Sequence, residues 1–270
     1  MINGVNSREM ILEILLEIEE GEHSHVAIRN ALSKYQFLPK QDRAFITRVC
    51  EGTLEYRIQI DYIINSFSKV TVDKMKPAIR EILRSAVYQL KYMDSVPDSA
   101  VCNEAVKLAQ RKGFYNLKPF VNGVLRTIAR EMDQVRFPQK EDDLLKYLSV
   151  KYSMPEVLVT RWLEAYGEET TEKILADFLM EHPLTIRCRT YLNSKEEVIK
   201  SLESQGVHVA PAPYLPYAYS ISEFNHILAL DAFIKGKIVV QDVSSMLVAE
   251  VADPKKGDYV IDVCAAPGGK

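Results

Sequence analysis

The stretch Pro77-Ala78-Ile79-Arg80-Glu81-Ile82-Leu83-Arg84-Ser85-Ala86-Val87-Tyr88-Gln89-Leu90 decides the fold of the first half of the chain. Its apolar side chains recur every three or four residues, which is the spacing of one face of an α-helix. Pro77 stands where a first helical turn tolerates proline, because an amide at that position would have no partner inside the helix. The stretch therefore predicts an amphipathic helix whose buried face consists of Ile79, Ile82, Leu83, Ala86, Val87 and Leu90.

Similar apolar spacings lie on both sides of this stretch. Ser7 is a candidate N-cap of the first helix and Gly21 a stop, while Asp98 or Ser99 can cap a later helix that Gly113 ends. Strand patterns are almost absent before residue 137, so the first half is expected to be an all-helical bundle. The other expected helices cover about 11–18, 26–35, 42–67 as one or two helices, 98–111 and 119–129.

Four segments of this half resemble the NusB antitermination-factor family, whose fold is an RNA-binding helical domain. They are Asp42-Arg43-Ala44-Phe45, the Val96-Pro97 loop, Asn103-Glu104-Ala105-Val106-Lys107-Leu108-Ala109 and Phe120-Val121-Asn122-Gly123-Val124-Leu125-Arg126. The resemblance spans residues 7–131 and implies a NusB-like domain over residues 1–137. Asn122 and Gly123 oppose helix propensity, which predicts close helix packing or a polar contact there, with core packing favoured.

A polar, proline-bearing stretch at 136–143 predicts a linker. Helical patterns follow at 144–150, 156–166 and 170–180. Strand patterns then appear at Leu184–Cys188 and Val207–Val209, separated by a helix that Ser194 can cap. Residues 138–235 are therefore expected to form a small α+β module.

The nine residues Asp262-Val263-Cys264-Ala265-Ala266-Pro267-Gly268-Gly269-Lys270 form a small-residue turn after the strand-like Tyr259-Val260-Ile261. Such a turn lets backbone approach a ligand and directs the free N–H groups of a following helix toward it. A P-loop would need glycine where Cys264 stands, and a dinucleotide fingerprint would need Gly-x-Gly-x-x-Gly, so neither pattern fits. An ordinary strand-to-helix turn is the remaining alternative to a cofactor loop.

This turn resembles motif I of S-adenosylmethionine-dependent methyltransferases, in the form typical of RNA 5-methylcytosine enzymes of the RsmB/Sun type. Gly236–Ser245 resembles the segment before motif I in that family, where Gln241-Asp242 ends a strand and Ser244-Ser245 opens a helix. Either serine can cap residues 246–251, and contact with cofactor or RNA is the equal alternative. The resemblance implies that residues 236–270 begin a Rossmann-like α/β methyltransferase domain. It also implies that S-adenosylmethionine binds at Cys264, Ala265, Ala266, Pro267, Gly268, Gly269 and Lys270.

Charge is distributed unevenly along the chain. Residues 1–137 hold 20 basic and 17 acidic side chains, a net charge of +3, whereas residues 138–270 hold 14 and 20, a net charge of −6. Between Glu104 and Arg130 there are six basic residues against one acidic residue. Such a density can neutralise several phosphates if the side chains share a face, and a solvated helical face is the alternative. The candidate RNA-binding residues of this run are Lys107, Arg111, Lys112 and Arg126.

The α+β module adds a further candidate. In the RsmB/Sun-type family its first strand carries Arg-Val-Asn, and Arg187-Cys188-Arg189 stands at those places here, so that Arg189 replaces the expected Asn. Arg187 is a candidate RNA-binding residue, and Arg189 could still bind phosphate. The tyrosines of the stretch 211–219 could stack on bases, although an irregular loop that packs them on the module is favoured.

The cysteines and the chain start exclude several classes of protein. Cys50, Cys102, Cys188 and Cys264 lie far apart with no Cys-x-x-Cys pair, so we expect small buried side chains and no metal site or disulfide framework. The start has no basic region followed by an apolar stretch, and no window is long enough to span a membrane. We therefore expect a cytoplasmic protein that does not bind membranes.

The resemblance also implies a reaction. In this family a cysteine thiolate adds to carbon 6 of cytosine, carbon 5 attacks the methyl group of S-adenosylmethionine, and a base removes the proton before the cysteine leaves. The Thr-Cys and Pro-Cys motifs that carry the family's cysteines follow motif I and do not occur in these 270 residues. We therefore expect a monomeric, catalytically inactive part of a small-subunit ribosomal RNA methyltransferase. The alternative class is a non-catalytic NusB-like RNA-binding or antitermination factor.

Overall fold

The computed structural model describes residues 6–35, 37–180, 182–224, 226–266 and 269. Contacts divide the chain into two compact units, Met1–Met180 and Glu181–Lys270. The first unit is helical. Its helices are α1 (Ser7–Glu19), α2 (Ser24–Lys34), α3 (Lys40–Glu55), α4 (Arg57–Phe67), α5 (Pro77–Tyr92), α6 (Asp98–Arg111), α7 (Lys118–Glu131), α8 (Leu144–Lys151) and α9 (Glu156–Phe178), with short 3₁₀ turns at 72–74, 115–117 and 132–134.

The predicted amphipathic helix at residues 77–90 is the central helix of the bundle. Residues 81–89 of α5 are all buried, and α5 contacts α1, α3, α4, α6 and α7. Its buried charged side chains are paired within the bundle: Arg84 donates to Asp61 at 2.6 and 2.7 Å and to Glu81. Because a buried charge without a partner is costly, this arrangement explains how one helix can be buried around most of its circumference.

Two of the predicted helix caps are wrong. Asn6, not Ser7, is the N-cap of α1, because its Oδ1 accepts hydrogen bonds from the backbone N–H groups of Arg8 and Glu9 at 2.9 and 3.2 Å. Helix α6 begins at Asp98 with Pro97 at the cap position, and no side chain caps it. Asn is as good a cap as Ser, so the cap preference alone could not decide between two neighbouring residues.

The segment after the bundle contains the two helices α8 and α9. Asp143 caps α8 by accepting from the backbone N–H of Lys146 at 2.9 Å. The predicted break between two helical patterns is confirmed at Gly167, whose φ of 74° and ψ of 175° interrupt α9. Gln59 of α4 donates to the Val150 carbonyl at 3.1 Å, and Ser153 accepts from the Ile58 N–H at 3.1 Å. Residues 144–180 are thereby attached to the helical bundle.

The second unit contains a four-stranded antiparallel sheet in the order β2-β3-β1-β4. One face of the sheet packs on α10 and α11 through a small apolar core. Ser194 caps α10 as predicted, since its hydroxyl accepts from the Glu197 N–H at 3.2 Å. The elements are β1 (Leu184–Cys188), α10 (Lys195–Glu203), β2 (His208–Pro211), β3 (Ala218–Ser222), α11 (Asp231–Ile234), β4 (Ile238–Val240) and α12 (Val243–Ala252), with a 3₁₀ turn at 227–229.

The start of the expected methyltransferase sheet differs from the prediction in two ways. Ile238–Val240, expected to begin that sheet, instead pairs antiparallel with Ile186–Cys188 of the small module. The predicted strand Tyr259-Val260-Ile261 is not formed, and these three side chains are 91, 64 and 69% exposed. A strand of a doubly wound sheet is stabilised by neighbouring strands and covering helices, and the described residues supply none for this segment.

Candidate functional site

The described residues of the glycine-rich loop, 262–266 and 269, are exposed. The Asp262 carboxylate accepts a hydrogen bond from the Cys264 backbone N–H at 2.8 Å, which forms a local turn at the start of the loop. Cys264, Ala265 and Ala266 are exposed, so the expectation that every cysteine is buried is wrong for Cys264. The described residues around it provide no core in which the thiol could pack. The predicted positions Pro267, Gly268 and Lys270 lie outside the described residues.

The open space at this loop suits a ligand that approaches the backbone. A side chain built on Gly269 would meet no atom of the described residues within 4 Å, so these residues leave the backbone accessible from that side. Small side chains at Ala265 and Ala266 leave their backbone groups within reach of a bound molecule. These residues fit a polar cofactor that is held by backbone hydrogen bonds.

The segment before the loop contains a buried amide side chain. Gln241 is 7% exposed, and its Nε2 donates to the Gly269 carbonyl at 2.9 Å. The prediction that Ser244 or Ser245 caps the following helix is wrong, because α12 begins at Val243 with Asp242 at the cap position. Both serines therefore lie inside the first helical turn.

The charge of the basic run is partly neutralised by acidic side chains, some of which are distant from it in the sequence. The Lys112 ammonium lies 2.7 Å from Glu9 and 3.0 Å from Glu13, both on α1. Hydrogen bonding to Glu9 raises the pKa of Lys112, and burial opposes that effect. Lys107 pairs with Glu104 at 2.7 Å on the same helix. Lys107 and Lys112 are therefore engaged within the protein.

Arg111 and Arg126 are the exposed candidates of the run, although Arg111 still acts on Glu104, whose pKa is lowered first by its hydrogen bond to Lys107 and also by the charges of Arg8 and Arg111. Both are exposed, and among the described residues neither lies within 4 Å of a carboxylate. Arg126 Nε donates to the Asn122 side chain at 2.9 Å, which holds the guanidinium on the surface of α7. Helices α6 and α7 pack against each other. They bring these two arginines onto adjoining elements.

Arg8 belongs to the same region, and no sequence pattern indicated it. Its guanidinium lies 5.3 Å from the ring centroid of Phe45, and it is close enough to Glu104 for their charges to interact. Burial lowers the pKa of Arg8, while Glu104 opposes the shift. Phe45 lies in a segment that resembles NusB, but 37 positions separate it from Arg8 in the sequence. A local pattern could therefore not predict that the two side chains are in contact.

The two arginines of β1 occupy different environments. Arg187 is half-buried, and its charge reaches Tyr217, whose pKa is raised by burial and by its hydrogen bond to Glu250. Arg189 lies against Gly236: its Nη1 is 3.7 Å from where a side chain at that glycine would begin. The Arg189 Nε is buried with no partner among the described residues. The residue that replaces the family's Asn is therefore partly enclosed by the module.

The tyrosines of the stretch 211–219 are separated by the structure. Tyr219 lies in β3 and is buried in the core, and the Tyr217 hydroxyl donates to Glu250. Tyr214 is 82% exposed with a φ of 71°. A stacking role is thus sterically open to Tyr214, whereas the core retains Tyr219.

Two features are absent from the part of the chain that the structure describes. No helix there is both long and apolar enough to cross a bilayer. No group of three or more His, Cys, Asp or Glu side chains in that part of the chain converges as a metal ion would require.

Two family models match separate parts of the chain. Residues 5–130 match the NusB family, and residues 154–227 match the ferredoxin-like domain of the RsmF/B-like methyltransferases. These matches correspond to the helical bundle and to a region that ends within the antiparallel sheet module. They define the class of the protein as a NusB-type helical domain followed by this ferredoxin-like domain.

Similarity to individual proteins extends over nearly the whole chain. A probable ribosomal RNA small subunit methyltransferase B of Bacillus subtilis is 34% identical, with 97% of this chain and 58% of that protein covered. Its Synechocystis counterpart is 31% identical, with 98 and 59% covered. The crystal structure of PH0851 superposes with a TM-score of 0.71 at 26% identity, covering 98% of this chain and 60% of that one.

The two family models and these relatives confirm the resemblance to the RsmB/Sun-type ribosomal RNA methyltransferases that the sequence motifs predicted. The chain spans about three fifths of the length of the curated relatives that it matches.

Proposed function

We propose that the protein to which this chain belongs methylates carbon 5 of a cytosine in small-subunit ribosomal RNA, with S-adenosylmethionine as methyl donor. The observation that carries the proposal is the similarity of nearly the whole chain to small subunit methyltransferase B proteins, together with a loop of motif I composition whose described residues are exposed. Because the proposed substrate is ribosomal RNA, we propose a cytoplasmic location, and we propose that the protein acts as a monomer.

The residues of this chain have two proposed tasks. The backbone of Cys264, Ala265, Ala266 and Gly269 holds the methionine end of the cofactor, together with Pro267, Gly268 and Lys270. Bound S-adenosylmethionine supplies an electrophilic methyl group. The exposed Asp262–Cys264 turn shapes the entry to the loop through the 2.8 Å hydrogen bond between these residues.

RNA is proposed to bind along the helical bundle at Arg111 and Arg126, with Lys107 and Lys112 at the edge of the surface. Arg187 is the proposed RNA contact of the sheet module. Phosphate binding by arginine is favoured here because guanidinium groups donate two parallel hydrogen bonds to one phosphate. Exposure of Arg111 and Arg126 supports this choice over the two paired lysines.

The proposed nucleophile toward carbon 6 is a cysteine outside these 270 residues, in a Thr-Cys motif. Cys264 belongs to the cofactor loop, where its backbone is proposed to bind the cofactor. The 270-residue chain is therefore proposed to bind RNA and to lack methyl transfer, and a Rossmann-like domain is proposed to form when further strands pair with residues 259–261. A non-catalytic NusB-like RNA-binding factor stays the alternative function.

The decisive experiment compares the 270-residue chain with a form extended to the length of the relatives. Both are incubated with S-adenosylmethionine and small-subunit ribosomal RNA, and the RNA is digested and analysed for 5-methylcytidine by mass spectrometry. We expect product only from the longer form. No product from either form, with RNA binding retained, would favour the non-catalytic factor. Turnover by the short chain would refute the downstream nucleophile and make Cys264 the first residue to replace.

A further inference from the structure

We infer that Gln241 is a positioning residue that fixes the glycine-rich loop against the antiparallel sheet. This inference rests on the proposed function, since it gives the loop the task of binding the cofactor. The sequence identified Gln241 as part of a motif without a chemical role. The structure supplies one through the 2.9 Å hydrogen bond from Gln241 Nε2 to the Gly269 carbonyl.

The backbone of Gln241 is held from both sides by Thr185. The Gln241 N–H donates to the Thr185 carbonyl at 3.2 Å, and the Thr185 hydroxyl donates to the Gln241 carbonyl at 2.8 Å. Thr185 lies in β1, and Gln241 directly follows β4, which pairs with β1. The sheet therefore fixes the backbone of Gln241, and the position of its side-chain amide depends only on the side-chain torsion angles.

The bond to Gly269 spans 28 positions of sequence and differs in kind from the other hydrogen bonds of the loop. In the described part of the chain, the other hydrogen bonds of the segment 254–266 join residues close in sequence, such as Lys255 with Asp258 and Cys264 with Asp262. The exposed side chains of this segment add little packing. In the part of the chain that the structure describes, Gln241 is thus the polar link between the sheet and the loop.

The chemistry of the contact requires a donor. A carbonyl oxygen accepts hydrogen bonds, so the amide nitrogen of Gln241 fits it and a carboxylate of the same size would repel it. The Gln241 Oε1 is buried with no partner among the described residues. This orientation leaves one acceptor unpaired in order to satisfy the Gly269 carbonyl, and a glutamine that served only to fill space would gain nothing from it.

Three substitutions separate the hydrogen bond from packing. Gln241→Met keeps the length and volume of the side chain but removes the donor, Gln241→Glu replaces the donor by an acceptor, and Gln241→Ala removes both donor and volume. Gln205→Glu is the matched control. It makes the same amide-to-acid change in the same unit, at an exposed site where Gln205 Oε1 accepts from the Asp231 N–H at 2.9 Å, a role that a carboxylate can keep.

Hydrogen exchange of the 270-residue chain, followed by mass spectrometry, measures the loop directly and does not depend on catalysis. We expect the peptide covering residues 258–270 to exchange about fivefold faster in Gln241→Met and Gln241→Glu, the effect of losing one neutral hydrogen bond. The peptide covering β1 should exchange as in the wild type, and Gln205→Glu should match the wild type throughout. Where the longer form binds S-adenosylmethionine, the same two variants should weaken binding about fivefold.

Two results would overturn the assignment. Wild-type exchange of residues 258–270 in both Gln241→Met and Gln241→Glu would show that the donor does not hold the loop. Equal acceleration in the β1 peptide would show that Gln241 supports the sheet as a whole. Faster loop exchange without any cofactor binding, even in the wild type, would leave the positioning role standing and contradict the proposed function instead.

Discussion

The ring of Tyr88 fills the space where a side chain at Gly52 would begin. A Cβ atom built on Gly52 would lie 2.0 Å from Tyr88 Cζ and 2.3 Å from its hydroxyl oxygen. Gly52 belongs to α3 and Tyr88 to α5, so that the absence of a side chain lets the two helices pack around the ring. Tyr88 is itself buried and contacts the rings of Tyr56 and Tyr92 at centroid distances of 6.4 and 5.3 Å.

The Gly52→Ala variant is expected to be less stable by about 1 to 3 kcal/mol, because the added methyl group displaces a confined ring. Gly123→Ala is the control: its Cβ meets nothing within 4 Å, so the gain in helix propensity should stabilise the bundle by about 0.5 to 1 kcal/mol. Urea denaturation of both variants gives the free energies of unfolding. The cost of Gly52→Ala should shrink in a Tyr88→Leu background, and an unchanged cost would contradict the steric explanation.

Arg111 is expected to contribute more to RNA binding than Lys112. Lys112 already holds Glu9 and Glu13, so it cannot neutralise a phosphate without losing these pairs, whereas the exposed Arg111 can. Arg111→Ala should weaken binding of single-stranded ribosomal RNA and reduce the slope of log affinity against log salt by about 0.7. Lys112→Ala should leave the slope nearly unchanged. Fluorescence anisotropy at several salt concentrations measures the affinity and its salt dependence for each variant. Equal slopes for wild type and Arg111→Ala would show that Arg111 is not part of the RNA-binding surface.

The sequence predicted the helices of the bundle well because their signals are local. Apolar side chains three and four residues apart predict a helix and its apolar face, and α5 forms where that spacing predicts it. The spacing does not predict that Glu81, Arg84, Ser85 and Gln89 of the same helix are buried as well. The apolar spacing does not predict which side chains contact each other on the exposed face of a helix. Gly123, expected to allow close packing, is exposed, while the polar contact considered beside it exists as the 2.9 Å bond from Arg126 to Asn122.

The functional loop shows the same limit. Its composition predicted a turn, and Asp262 does form one with Cys264. The preceding strand depends on pairing partners that local sequence does not encode, and residues 259–261 have none among the described residues. The pairing of Lys112 with α1 likewise joins residues about 100 positions apart, which a charge count over neighbouring residues cannot anticipate.

Limited proteolysis should separate the chain near residue 181 more readily than at 136–143. The hydrogen bonds of Gln59 with Val150 and of Ile58 with Ser153 attach α8 to the bundle, so that cleavage in the linker would not release it. We propose that a fragment of residues 1–180 folds by itself. Mass spectrometry of the stable fragment gives its end. A stable fragment ending at 136–143 would instead support the three-part division at residues 137 and 235.

Stability should decrease in acid partly through Glu172. Hydrogen bonding to Lys151 lowers the pKa of Glu172, with burial opposing and Tyr152 and Lys140 assisting. A carboxyl group whose pKa is lower in the folded state stabilises the fold above its unfolded pKa of about 4.3, and this contribution is lost as the pH falls through the folded value.

The Glu172→Gln variant should therefore be less stable than the wild type by about 0.5 to 1 kcal/mol at pH 7, and the difference should disappear at low pH. Glu169→Gln is the control, since its partner Lys173 and Glu169 itself are largely exposed. Thermal unfolding at pH 7 and at about pH 2, below the ordinary range of carboxyl pKa values, compares the three proteins. A difference that persists in acid would mean that the charge of Glu172 is not its source.

Cys264 should be the cysteine that reacts in the folded chain. It is exposed, whereas Cys50, Cys102 and Cys188 are buried, and burial raises the pKa of the Cys188 thiol to about 11, which leaves little reactive thiolate at neutral pH. A maleimide reagent at pH 7 should add once, and peptide mapping should locate it at Cys264, while the Cys264→Ser variant should not react until denatured. If the loop binds the cofactor as proposed, S-adenosylmethionine should slow the reaction in the longer form. If the cofactor slows the reaction and Cys264→Ser still turns over normally, Cys264 lies beside the ligand and has no covalent role. Loss of turnover in Cys264→Ser would contradict the assignment of the nucleophile to a later cysteine.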